Sequence, residues 1–149
     1  MTDKRHTTDC LEIGEFIFDM INDILPTFPI IAEQSTQLPF AIYKRVGYQG
    51  RDTKDKYNYE EQITVEVIAC ANKYKESLKL ASEIKNRLEY AKGTWRNTFV
   101  TNVSLANTSE DYINEVYTQR MTFDISIDNH KFNEIMKLSK NNKDYAIAY

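Results

Sequence analysis

The feature that most constrains this chain is a two-residue alternation running from Tyr57 to Cys70. Tyr57, Tyr59, Ile63, Val65, Val67 and Ala69 fall on one side. Asn58, Glu60, Gln62, Thr64 and Glu66 fall on the other, with Ile68 the one apolar exception. Successive strand side chains point to opposite faces, so this pattern predicts a long antiparallel strand with one buried and one wet face. Tyr117, Met121, Phe123, Ile125 and Ile127 alternate in the same way with Thr118, Arg120, Thr122, Asp124 and Ser126. Such surfaces need a layer to cover them, and the sequence supplies it in two helical patterns.

The first pattern is Ile13, Phe16, Ile17, Met20, Ile21 and Ile24, a stripe at three- and four-residue spacing. Asp9 and Glu12 have capping-box spacing before it, and Pro26 and Pro29 end it. The second is Tyr74, Leu78, Ala81, Ile84, Leu88 and Ala91, with Asn72 as the N-cap and Gly93 as the C-terminal stop. Between the helices lie a short apolar run, Pro29–Ala32, and a strand, Phe40–Val46. Gly47 and Gly50 bracket a polar segment through Lys56 that reads as a hairpin loop. Beyond the second helix, Phe99, Val103 and Leu105 mark a strand, and Asn107–Asp111 reads as the turn into the last one. The expected fold is therefore α+β: an antiparallel sheet of about four to five strands with two main helices on one face. The expected organisation is a disordered 1–9, a single domain over 10–128, and a C-terminal extension over 129–149 with a short helix at 131–139.

At 149 residues the chain can bury about 68–70% of its unfolded surface, enough for a core without disulfides or metal. Its net charge of -3 gives no general attraction to nucleic acid. The stretch Phe16–Ile31 is too interrupted by Asp19, Asn22, Asp23 and Pro26 to span a membrane. The N-terminus lacks the apolar segment of a signal peptide, which points to a cytoplasmic location. Cys10 and Cys70 form no paired motif, and His6 and His130 lack the companions of a zinc site. No phosphate-cradling glycine pattern or nucleophile elbow occurs, so no catalytic, metal or cofactor residue is assigned. Glu60, Glu61 and Glu66 could serve acid–base chemistry, but a solvated strand face explains them better. The ten tyrosines suit either strands or surfaces that become buried on binding. Trp95 reads as a core lid or an interface anchor, the core being favoured.

In the order and spacing of its parts the chain resembles the tail-completion (tail terminator) and head–tail joining proteins of phages and prophages. The resemblance rests on the N-terminal helix with its short apolar segment, the strand Leu38–Arg45, the long strand Glu61–Ala69 running into the helix Tyr74–Ile84, and the final strand Tyr117–Ile127. It covers residues 10–127, and the C-terminal extension goes beyond it. What it implies is a structural, non-enzymatic role: a homo-oligomeric ring, commonly hexameric, at the head-proximal end of the tail tube. Such a ring stops tube growth and docks to the head connector, giving as partners its own copies, the tube protein and the connector protein. DNA would pass through the ring without specific binding, in the host cytoplasm during assembly and then in the virion tail. On this reading the 47–58 loop orders when a partner binds, with Tyr48, Arg51, Tyr57 and Tyr59 as contact residues. A generic oligomeric α+β binding or regulatory module is the alternative.

Overall fold

The computed structural model of the chain describes residues 10–52, 58–96 and 98–128. A 3-10 turn, Cys10–Ile13, leads into helix α1, Gly14–Ile21, and a second helix, α2, spans Tyr74–Leu88. The strands are β1 Thr27–Pro29, β2 Phe40–Asp52, β3 Asn58–Ala71, β4 Gly93–Trp95, β5 Thr98–Ile113 and β6 Val116–Asp128. They form one sheet in the order β1-β2-β3-β6-β5-β4. All neighbours are antiparallel except β1 and β2.

The α+β class holds, with six strands among the described residues instead of four or five. The two alternating segments lie side by side at the centre, with Val65 opposite Phe123 and Ile63 opposite Ile125. Their apolar face carries the core: Ile63, Val65, Val67, Ala69, Met121, Phe123, Ile125 and Ile127. Ile13, Phe16, Ile17 and Ile21 from the first helical segment and Ile84 and Leu88 from α2 pack into the same cluster. The helices therefore share one side of the sheet. Among the described residues no element covers the other side, where Thr64, Glu66, Arg120, Thr122 and Asp124 lie.

Gly14 permits a close approach: a β-carbon there would sit 3.3 Å from the Tyr43 ring. Polar contacts then fix α1 laterally. Trp95 Nε1 donates to Asp19 at 2.8 Å, Arg96 pairs with Glu15 at 2.7 Å, and Arg87 pairs with Asp23 at 2.9 Å. The Arg87 hydrogen bond holds the Asp23 carboxyl below its ordinary pKa. Trp95 also meets Phe16 edge-on and packs against the core cluster, the lid role favoured from sequence.

Six local expectations are corrected. The polar segment after Gly47 is not a loop at its start, because β2 continues to Asp52 in register with β3. Asn107–Asp111 is not the turn but part of β5. The chain reverses at Asn114 and Glu115, both with positive φ, as a two-residue hairpin turn demands. In α2 the buried line runs through Ser77, Ile84 and Leu88, leaving Tyr74 and Leu78 exposed. This helix starts after Lys73 without a side-chain cap from Asn72. At its end Tyr90, with φ 66°, makes the left-handed turn next to the helix, while Gly93, also at positive φ, belongs to β4. The short strand near Pro29 is displaced to Thr27–Pro29. Asp9, residues 1–9 and the extension 129–149 lie outside the described residues.

Candidate interaction surface

Two ends of the sheet carry the candidate surface residues. At one end, β2 and β3 extend beyond the helices. Tyr48, half-exposed on β2, donates its hydroxyl to Glu61 Oε2 at 2.8 Å. Glu61 lies on the helix-side face, with its partner Ile127. Glu60 and Glu66 take the opposite face, so the three carboxylates do not converge. Glu66 accepts from Arg120 at 2.7 Å and lies 3.7 Å from Lys44. A polar cleft of about 320 Å³ opens here, lined by Gln49, Glu60, Glu61, Gln62, Ser126 and Asp128 among others. Arg51 lies in β2 and Tyr59 in β3, but their side chains, like all of Tyr57, fall outside the described part. Of the four residues singled out from sequence, only Tyr48 has a described environment.

The opposite end holds a cluster that the sequence did not reveal. The β5–β6 hairpin runs beyond the core and brings Tyr112 over Tyr117, with ring centroids 4.5 Å apart. Tyr74, at the start of α2, meets Tyr117 at a tilt, with ring centroids 5.8 Å apart. Beneath the rings a polar chain sets their positions. Gln119 Nε2 donates to both Ser77 Oγ and Glu110, and the Tyr74 hydroxyl also donates to Glu110. That bond, with the carboxylate charge behind it, raises the Tyr74 pKa above its ordinary value. Tyr112, Ile113, Tyr74 and Leu78 all remain exposed. An aromatic patch set by a satisfied polar network suits protein contact, since its rings carry contact area with few rotamers to freeze. The signal was present in the sequence as Tyr112 and Tyr117 flanking Asn114-Glu115. A turn at 107–111, as the polar run suggests, does not bring these two tyrosines together.

Among the described residues no group of three or more His, Cys, Asp or Glu side chains could hold a metal ion. No helix among them is long and apolar enough to cross a membrane. Cys70 is buried, and burial pushes its thiol up to about 11 against a small opposing pull from Arg120. The thiolate is the nucleophile, so Cys70 is inert near neutrality. A native chain treated with a thiol reagent at pH 8 is expected to leave Cys70 unmodified until denaturant is added. Rapid labelling in the folded state, read by mass spectrometry of the Cys70 peptide, would contradict this packing.

No family model matches the sequence, and no curated protein is similar to it. Among solved structures, one chain of the "Virion of native gene transfer agent (GTA) particle" superposes with a TM-score of 0.59. The match covers 75% of this chain and 91% of that one at 6% identity. The α+β fold described above is thus one that a virion component also adopts.

Proposed function

We propose that this chain is a structural protein of a phage or prophage virion that assembles as a ring at the head-proximal end of the tail tube. There it terminates the tube and docks to the head connector. The observation that carries the reading is the fold shared with a chain of a virion particle. The two sheet ends support it: one presents Tyr48 and the other Tyr74 and Tyr112, exposed rings at two separate places, as an assembly subunit with two neighbours requires. The chemistry is that of contact surfaces, and the role is non-enzymatic. Its partners are other copies of itself, the tube protein and the connector protein. Hexameric closure is the ring size the family resemblance implies. Tyr48, Arg51, Tyr57 and Tyr59 serve as partner contacts.

Deleting the gene in a strain that produces the particle tests the proposal. Electron microscopy is expected to show filled heads without tails and tail tubes of uncontrolled length. Normal particles with joined tails in the deletion strain would refute it.

A further inference from the structure

The sheet carries two long outer edges that its short terminal strands do not cover. On β2, β1 pairs only with Ala41, Ile42 and Tyr43. On β5, β4 pairs only with Thr98, Phe99 and Val100, and Tyr90 N–H bonds to the Val103 carbonyl. Among the described residues, β2 past Tyr43 and β5 past Val103 have no second strand beside them. A row of edge N–H and C=O groups is a template for pairing with another chain.

We propose that these edges pair with each other between copies, β5 of one subunit joining β2 of the next. This deepens the ring reading above and rests on it. Three observations select the pair. The first is direction. β2 is antiparallel to β3, β3 to β6 and β6 to β5, so β2 and β5 run antiparallel within one subunit. A rotation about an axis roughly along the strands preserves direction, so β5 of one copy meets β2 of the next in an antiparallel ladder.

The second is charge. The outer stretch of β2 carries Lys44 and Arg45, while the end of β5 carries Glu110 and Asp111, all exposed. Strands in a ladder lie about 4.8 Å apart, well inside the screening length of physiological salt. Pairing either edge with its own copy would bring two like-charged strands together, whereas pairing β5 with β2 brings opposite charges together. Half-exposed apolar side chains accompany both sets, Val46 on one edge and Tyr112 and Ile113 on the other.

The third is register. In a level arrangement the neighbour's β5 tip would occupy the place of β1. Sliding it until Ile113 faces Lys44 clears β1, a stagger of six residues or about 20 Å. Glu110 to Ile113 then face Gly47 to Lys44, which puts Tyr112 beside Arg45 and Asp111 beside Val46. A stagger of this kind is what closing a sheet into a ring requires. Both edges also carry a bulge, at Arg45/Gly47 and Leu105/Asn107, which bends the strand and increases its twist there.

The test uses the full chain with Cys10→Ser, carrying either Val46→Cys or Asp111→Cys. Both sites are exposed, and Cys70 stays buried. Each variant alone and an equimolar mixture, at concentrations up to the solubility limit, are treated with a short bismaleimide, which tolerates a register error of one residue. The mixture is expected to couple at least about tenfold more than either variant alone, because the interface raises the local thiol concentration far above bulk. A chain carrying both substitutions should give a ladder of covalent oligomers. Coupling in the mixture no greater than in the separate variants overturns the proposal, whether the chain stays monomeric or associates by sedimentation. Association without coupling refutes these edges but leaves the ring reading standing. Only the gene deletion bears on that reading.

Discussion

Replacing Phe123 by alanine is expected to destabilise the chain by about 4 kcal/mol, the largest effect of any single truncation in the sheet. Phe123 is fully buried and sits on β6 between Val65 of β3 and Leu105 of β5, under the two helices. Truncation removes the ring's contacts and leaves a cavity that a pinned central strand cannot close. Total stabilities of such domains run about 5–15 kcal/mol, so a large share would be lost. For a chain of this length that corresponds to a fall in Tm of roughly 8–15 °C. Phe123→Leu, which keeps most of the volume, should cost under about 1.5 kcal/mol. Denaturant melts of the two variants check the pair. If alanine costs no more than leucine, Phe123 does not pack as described.

The same face explains which parts of the fold were legible beforehand. β3 and the second half of β6 lie over the helices, so burial imposes alternation on them. For both, the bounds expected from the alternation agree with the observed strands to within a residue or two. The first half of β6 and the far end of β5 project past the core. From Ala106 to Glu115 every described residue is exposed, and no force selects apolar residues on alternate positions. A polar run such as Asn107–Asp111 then looks like a turn although its backbone is a strand. Gly47 and Gly50 look like loop hinges for a different reason: they sit inside the β2 ladder, opposite Thr64 and Glu61 of β3, where the pairing partner and not the local sequence keeps the chain extended. Strands β1 and β4 are three residues each, too short to show a period.

In α2 the error was one of rotation. Tyr74, Leu78 and Ala81 form a plausible stripe, and the residue actually buried in that turn is Ser77, an unpromising core residue. Ser77 is admissible because its hydroxyl donates to the Tyr74 carbonyl at 2.7 Å and accepts from Gln119 at 3.2 Å. A buried hydroxyl with both roles filled avoids the cost of desolvation. Nothing in the local sequence announces this, because the partner lies on β6. The aromatic cluster depends on the same long-range contact, so it too emerges only once α2 and the hairpin are assembled. The fold was thus readable where one face is buried, and the candidate surface was unreadable because surfaces of this kind stand clear of the core.

On the opposite face of the sheet, replacing Arg120 by methionine is expected to cost about 1–3 kcal/mol, the usual penalty for stripping a hydrogen-bonded partner from a poorly hydrated charge. Glu66 keeps only 13% of its side-chain exposure and takes its short contact, 2.7 Å, from Arg120. Lys44 is at 3.7 Å and more exposed, so it compensates only in part. Glu66→Gln in the same chain should recover much of the loss, since a neutral amide no longer needs a cation. Urea melts of wild type, both single variants and the double variant form a thermodynamic cycle. A coupling of about 0.5–2 kcal/mol is expected between the two sites, which lie on adjacent strands near the middle of the ladder. Additive effects would mean that Arg120 acts by packing alone. Arg120 also lowers the Cys70 thiol, so its removal should leave that group still harder to ionise. A Cys70 thiol that became more reactive in Arg120→Met would instead show that the strands had loosened around it, and the stability loss would then have to be assigned to register rather than to charge.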